Sequence, residues 1–81
     1  MMHEINGFVV EPNTSSNRLL IRRLTEPRHE YVFWISRDQV KLRATLPDDV
    51  GIHREDALKD AERSEAAARR AAEEFLRRIF G

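Results

Sequence analysis

The chain contains no cysteine. That excludes a disulfide framework, thiolate zinc sites and cysteine nucleophiles. It also fits a reducing compartment, so the expected location is cytoplasmic. Glycine is scarce, with only Gly7, Gly51 and Gly81. Neither the G-x-x-x-x-G-K phosphate loop nor the G-x-G-x-x-G dinucleotide loop can be assembled from them. There is no G-x-S-x-G elbow, and Ser15, Ser16, Ser36 and Ser64 have no evident base partner in the sequence. An excess of charge of either sign is also missing. Fourteen basic residues balance fourteen acidic ones, for a formal net charge of zero. Nucleic-acid-binding domains usually carry a basic excess. Zero net charge offers little repulsion against self-association. The longest apolar runs are a few residues, far short of the ~20 that span a bilayer. No basic start followed by an apolar run marks a secretory leader.

The remaining candidates for chemistry are few. His3, His29 and His53 stand far apart and share no metal-ligand spacing, and they read as solvated loop residues. Asp48-Asp49 follows Pro47 and precedes Gly51, which is turn chemistry rather than a metal loop. Asp56 and Asp60 are four residues apart and read as a solvated helix turn. No catalytic residue, cofactor or metal is expected.

What is present is a small domain. Its 81 residues make one domain with a modest core. A hydrophobic content of 41% supports that core. A charged content of 35% points to a heavily solvated helix face. Composition changes once, near Pro47 to Gly51. Residues 1–46 are the sheet region, 47–53 a turn and 54–80 a helix. The fold class is α+β, a three- to four-stranded antiparallel meander packed by one long C-terminal helix.

Asn6-Gly7 is a tight-turn signal. Phe8-Val9-Val10 reads as a short strand that Pro12 ends. Residues 13–17 form a polar loop. Arg18 to Leu24 is a second strand, and its pattern leaves the inward face open. The clearest unit is Tyr31 to Leu46. A two-residue turn at Arg37-Asp38 sets Ile35 opposite Val40, Phe33 opposite Leu42 and Tyr31 opposite Ala44. Those six side chains then share one face, and a slip by one residue would mix apolar with charged partners.

In the helix, positions 58, 61, 65, 68, 72, 75 and 79 form one amphipathic stripe with a single flaw, Glu65. Two arrangements accommodate it. The helix breaks near Ser64, or the stripe slides so that Ala66-Ala67-Ala68 sits at a close approach. The opposite face carries Glu65, Arg69, Glu73 and Arg77 at steps of four. Each opposite-charge pair adds about 0.2–0.5 kcal/mol to an isolated helix. An unbroken helix of about 27 residues would run about 40 Å. Strands this short span only about 20 Å, so an end should overhang and invite a partner.

The other face of the Tyr31–Leu46 hairpin carries the sharpest positive feature. There Trp34 lies opposite Lys41 and Val32 lies opposite Arg43, with Arg22 or Arg23 expected to flank them. An aromatic among cations on an open sheet is how several modules grip single strands. Trp and Arg are equally at home in protein interfaces, and long Arg and Lys stems can also simply cover a tryptophan.

Leu46-Pro47-Asp48-Asp49-Val50-Gly51, followed by a helix with Ala57-Leu58 and Ala61, resembles small HicB-type antitoxins. The likeness spans about half the chain, and the order of the first strands departs from that family. It implies binding to a toxin protein without catalysis. The Ala-rich basic helix from Ala67 to Leu76 is similar to the last helix of double-stranded RNA-binding domains. The first helix of that fold has no counterpart here.

The sequence therefore points to a non-catalytic interaction module, self-associating or binding a protein partner. Its expected surface is Trp34, Lys41, Arg43 and Arg22, with Phe75, Ile79 and Phe80 in the last helical turns. The alternative is a nucleic-acid-binding module using the same sheet face.

Overall fold

Asn6 (φ 52°) and Gly7 (φ 85°) both take left-handed backbone. A two-residue hairpin turn matched to strand twist requires that pair of conformations. The turn joins β1 (His3–Ile5) to β2 (Phe8–Asn13), setting Ile5 against Phe8 and His3 against Val10. A Cβ at Gly7 would meet nothing within 4 Å. Gly7→Ala is therefore strained only through its backbone. The expected loss is about 1–2 kcal/mol, seen as a lower denaturant midpoint at unchanged slope.

In the computed structural model residues 2–13, 15–48 and 53–81 are described. The sheet continues through β3 (Arg18–Arg23), β4 (Glu30–Ile35) and β5 (Val40–Leu46). Its order is β1-β2-β3-β4-β5, antiparallel throughout. Two helices follow, α1 (Arg54–Arg63) and α2 (Glu65–Phe80). The α+β class and the meander agree with the sequence reading. The strand count rises to five, because a three-residue β1 is too short to show alternation. Pro12 does not end β2. It pairs with Leu19 beyond the last β1 pair, His3 with Val10. Its missing N–H therefore faces no strand among the described residues, which is where a sheet tolerates proline. The expected 47–53 turn is described only at Pro47, Asp48 and His53, since Asp49 to Ile52 lie outside the described residues.

Pairing with β4 settles the inward face of β3. Leu19 meets Phe33 and Ile21 meets Tyr31, and all four are fully buried. In the β4–β5 hairpin, Ile35 faces Val40 and Phe33 faces Leu42, as the alternation requires. Ser36 N–H donates to Gln39 C=O at 3.0 Å to close the turn. The register then shifts by one residue, so Val32 meets Ala44 and Tyr31 meets Thr45. This corrects the expected Tyr31–Ala44 and Val32–Arg43 pairs. A bulge at Arg43 leaves that residue without an opposite partner and swings Ala44 to the outer face.

The single long helix also needs correction, because it breaks at Ser64 (φ −93°, ψ −1°). The sheet holds the break from below. Tyr31 donates its hydroxyl hydrogen to Ala61 C=O at 2.5 Å, and Arg23 reaches Ser64 Oγ at 3.5 Å. Burial pushes the Tyr31 hydroxyl above its ordinary pKa, so it remains a donor there. The buried stripe enters at Ala57 rather than Leu58 and runs through Ala61, Ala68, Ala71, Ala72, Phe75 and Leu76. It keeps the expected Ala61, Ala68, Ala72 and Phe75, and Glu65, at the start of α2, is only half-buried. The alanines at the closest approach are Ala68, Ala71 and Ala72, while Ala66 is exposed and Ala67 half-buried. Small side chains there let α2 lie across all five strands, with α1 beside β5. Ile5, Phe8, Val10, Leu19, Ile21, Tyr31 and Phe33 form the sheet side of the core.

Candidate interaction face

Both helices pack on one side of the sheet, so the outward residues of the strands form an uncovered face. Its top row runs Asn13, Arg18, Trp34, Lys41 from β2 to β5. The middle row is Glu11, Leu20, Val32, Ala44. The bottom row is Glu4, Val9, Arg22, Glu30, Leu46. Leu20, Val32 and Ala44 are half-buried by their neighbours, while Leu46 is 46% exposed.

Trp34 is 38% exposed. The Arg18 guanidinium carbon lies 4.2 Å from its ring centroid and that of Arg43 lies 5.5 Å away. The two cations reach the indole from the strands on either side. Each such contact contributes about 0.5–1 kcal/mol at an exposed site. Stacking buries Arg18 Nε without a hydrogen-bond partner. Lys41 stands directly opposite Trp34, as expected.

Arg18 was not among the expected residues. A β3–β4 register would have revealed it, but Leu19-Leu20-Ile21 is apolar at every position and hides which face is outward. Neither Arg22 nor Arg23 flanks the tryptophan. Arg22 pairs with Glu30 at 2.7 Å in the bottom row, and Arg23 is on the helix side.

Charge divides this face unevenly. Arg18, Lys41 and Arg43 gather at one corner, with no carboxylate in their row. Glu4 and Glu11 occupy the opposite side. Among the described residues these five form no ion pair within the chain. The β5 edge is partly blocked, because Arg69 donates to Val40 C=O at 2.7 Å and the bulge distorts the strand. An incoming strand would find this edge less available than the face.

The last helical turn is divided. Phe75 is 4% exposed, and the His3 ring meets it in a T-shaped arrangement at 5.0 Å between centroids. It belongs to the core rather than to a surface. Ile79 and Phe80 are 50% and 53% exposed. With Pro12, Ile35 and Phe75 they line an open cleft of about 230 Å³.

His29 corrects the solvated-loop reading, being fully buried. Its Nδ1 accepts from the Asp48 N–H at 2.9 Å. The ring proton therefore sits on Nε2, which donates to Asp60 Oδ2 at 2.8 Å. Asp60 Oδ1 accepts from Arg63 at 3.3 Å, and Asp48 Oδ2 accepts from the Arg28 N–H at 2.8 Å. The His29 hydrogen bond, with help from Arg63, holds the Asp60 carboxyl below its ordinary pKa. This cluster ties the loop before β4 to the end of β5 and to α1. Sequence spacing gives no sign of it, since His29, Asp48 and Asp60 are 12 to 31 residues apart.

Among the described residues no group of His, Cys, Asp and Glu could hold a metal ion. No helix among them is long and apolar enough to cross a membrane. No protein-family model, curated protein sequence or solved structure matches the chain.

Proposed function

We propose that this chain is a non-catalytic interaction module that binds another protein chain, itself or a partner, through the uncovered face of its sheet. One observation carries the reading: α1 and α2 cover a single face, and the other presents Trp34 and Leu46 around an apolar centre. Trp and Arg are the residues that most often dominate interface energies. A five-stranded face of short strands offers about 400–500 Å². That is below the ~800 Å² per partner of a standard interface, so a weak, reversible complex is expected. The non-catalytic part rests on His29, whose two ring nitrogens are both engaged by the protein. Neither is free to take a substrate proton.

A second reading, single-stranded nucleic acid on the same face, is favoured by the Arg18, Lys41 and Arg43 corner. Against it, a base could stack on Trp34 only by displacing a guanidinium. Trp34 is the sole tryptophan and reports on both readings. Its emission is expected to move to the blue as protein concentration rises from micromolar towards millimolar, or on adding the partner. Mixed single-stranded RNA and DNA should leave it unchanged. Quenching by the oligonucleotides that salt reverses would replace the protein reading with the nucleic-acid one.

A further inference from the structure

Resting on that reading of the face, we propose that its occupant is a second copy of this chain, docked face to face about a two-fold axis that passes over Leu20. The placement of charge on the face favours this occupant. Leu20 lies at the middle of the middle strand, β3. Lys41 and Arg43 lie on β5 towards one corner, and Glu4 lies on β1 at the diagonally opposite one. Arg18 and Glu11 lie closer in, on opposite sides of that centre.

An isologous interface must be complementary to itself. A two-fold axis lying between the sheets, perpendicular to the Glu4–Lys41 diagonal, exchanges these corners. Each copy then sets Lys41 and Arg43 over Glu4 of the other, and Arg18 over Glu11. Leu20 meets its own equivalent at the centre. The Arg22–Glu30 pair is already neutralised within each chain. Strands of the two sheets cross steeply, as in the orthogonal class of sheet packing. Among the described residues the same charges form no ion pair inside one chain, so the second copy supplies partners for them.

Two charge-reversed variants test this. Glu4→Lys reverses the acidic corner, and Lys41→Glu with Arg43→Glu reverses the basic one. Sedimentation equilibrium at low salt is expected to show a reversible wild-type dimer. Each variant alone should raise the dissociation constant at least tenfold. An equimolar mixture of the two should restore wild-type association, because every reversed charge then faces its complement. That restoration also shows that both variants are folded. A wild-type dimer that neither variant weakens would overturn the docking and place the contact elsewhere, for example at Phe80. A chain that stays monomeric towards millimolar concentration would overturn the second copy as occupant. The face reading falls separately: it survives a monomer whose Trp34 emission responds to an added partner protein, and it fails for a dimer whose Trp34 emission does not change on association.

Discussion

Phe33→Ala is expected to cost about 3–5 kcal/mol of folding stability. Phe33 is fully buried between Leu19 and Leu42 on the sheet, with the Arg69 guanidinium carbon 5.6 Å from its ring centroid. The close alanines of α2 leave few large side chains to collapse into the space. A domain of this length holds about 4–12 kcal/mol in total, so much of that margin disappears. Urea unfolding followed by circular dichroism reads the change. Its neighbour behaves differently. Trp34→Ala removes two cation–π contacts from an exposed ring and is expected to cost about 1–2 kcal/mol, leaving a folded chain with weakened association. Equal losses from the two substitutions would contradict the assignment of one residue to the core and the other to the working face.

His29→Leu keeps roughly the same volume and removes both hydrogen bonds. The Asp48 amide, part-buried, loses its acceptor, and a buried donor left unmade costs about 1–3 kcal/mol. The loop before β4, the end of β5 and α1 should then exchange amide hydrogens faster, while β2 and β3 stay protected. Asp60→Asn separates the carboxylate from the rest of the cluster. Its folded pKa is lowered, so the carboxylate's contribution is complete above its unfolded value, about 3.9. That contribution disappears as pH falls through the folded value. The stability gap between wild type and Asp60→Asn is therefore expected to be constant at neutral pH and to narrow below about pH 4. A gap that persists in acid would show that the His29 contact does not depend on the charge.

Ala44 and Arg18 show where sequence reading stops. The alternation from Tyr31 to Leu42 was legible because one face is buried and every second residue answers to it. The same alternation places Trp34 beside Lys41, as in the structure. It failed after Leu42, since a bulge adds one residue and no residue type announces it. Arg18 was missed because Leu19-Leu20-Ile21 satisfies either face, and only pairing with β4 selects one. The helix stripe was legible at Ala61, Ala68, Ala72 and Phe75, and differs at its ends, where Ala57 and Leu76 are buried and Leu58 and Ile79 are exposed. Leu58 looks like a better core residue than Ala57, yet the sheet needs small side chains where α1 and α2 come close.

By itself the sequence determined the class of the fold, the Arg37-Asp38 hairpin, the helix limits near Arg54 and Phe80, and the outward position of Trp34. Those features depend on local periodicity and turn chemistry, which act over a few residues. Tertiary structure alone decided which side of β3 is buried, the burial of His29 and the charge layout of the open face. Each of those joins residues distant in the chain. They are fixed by which surfaces can be buried together, and no local pattern encodes that.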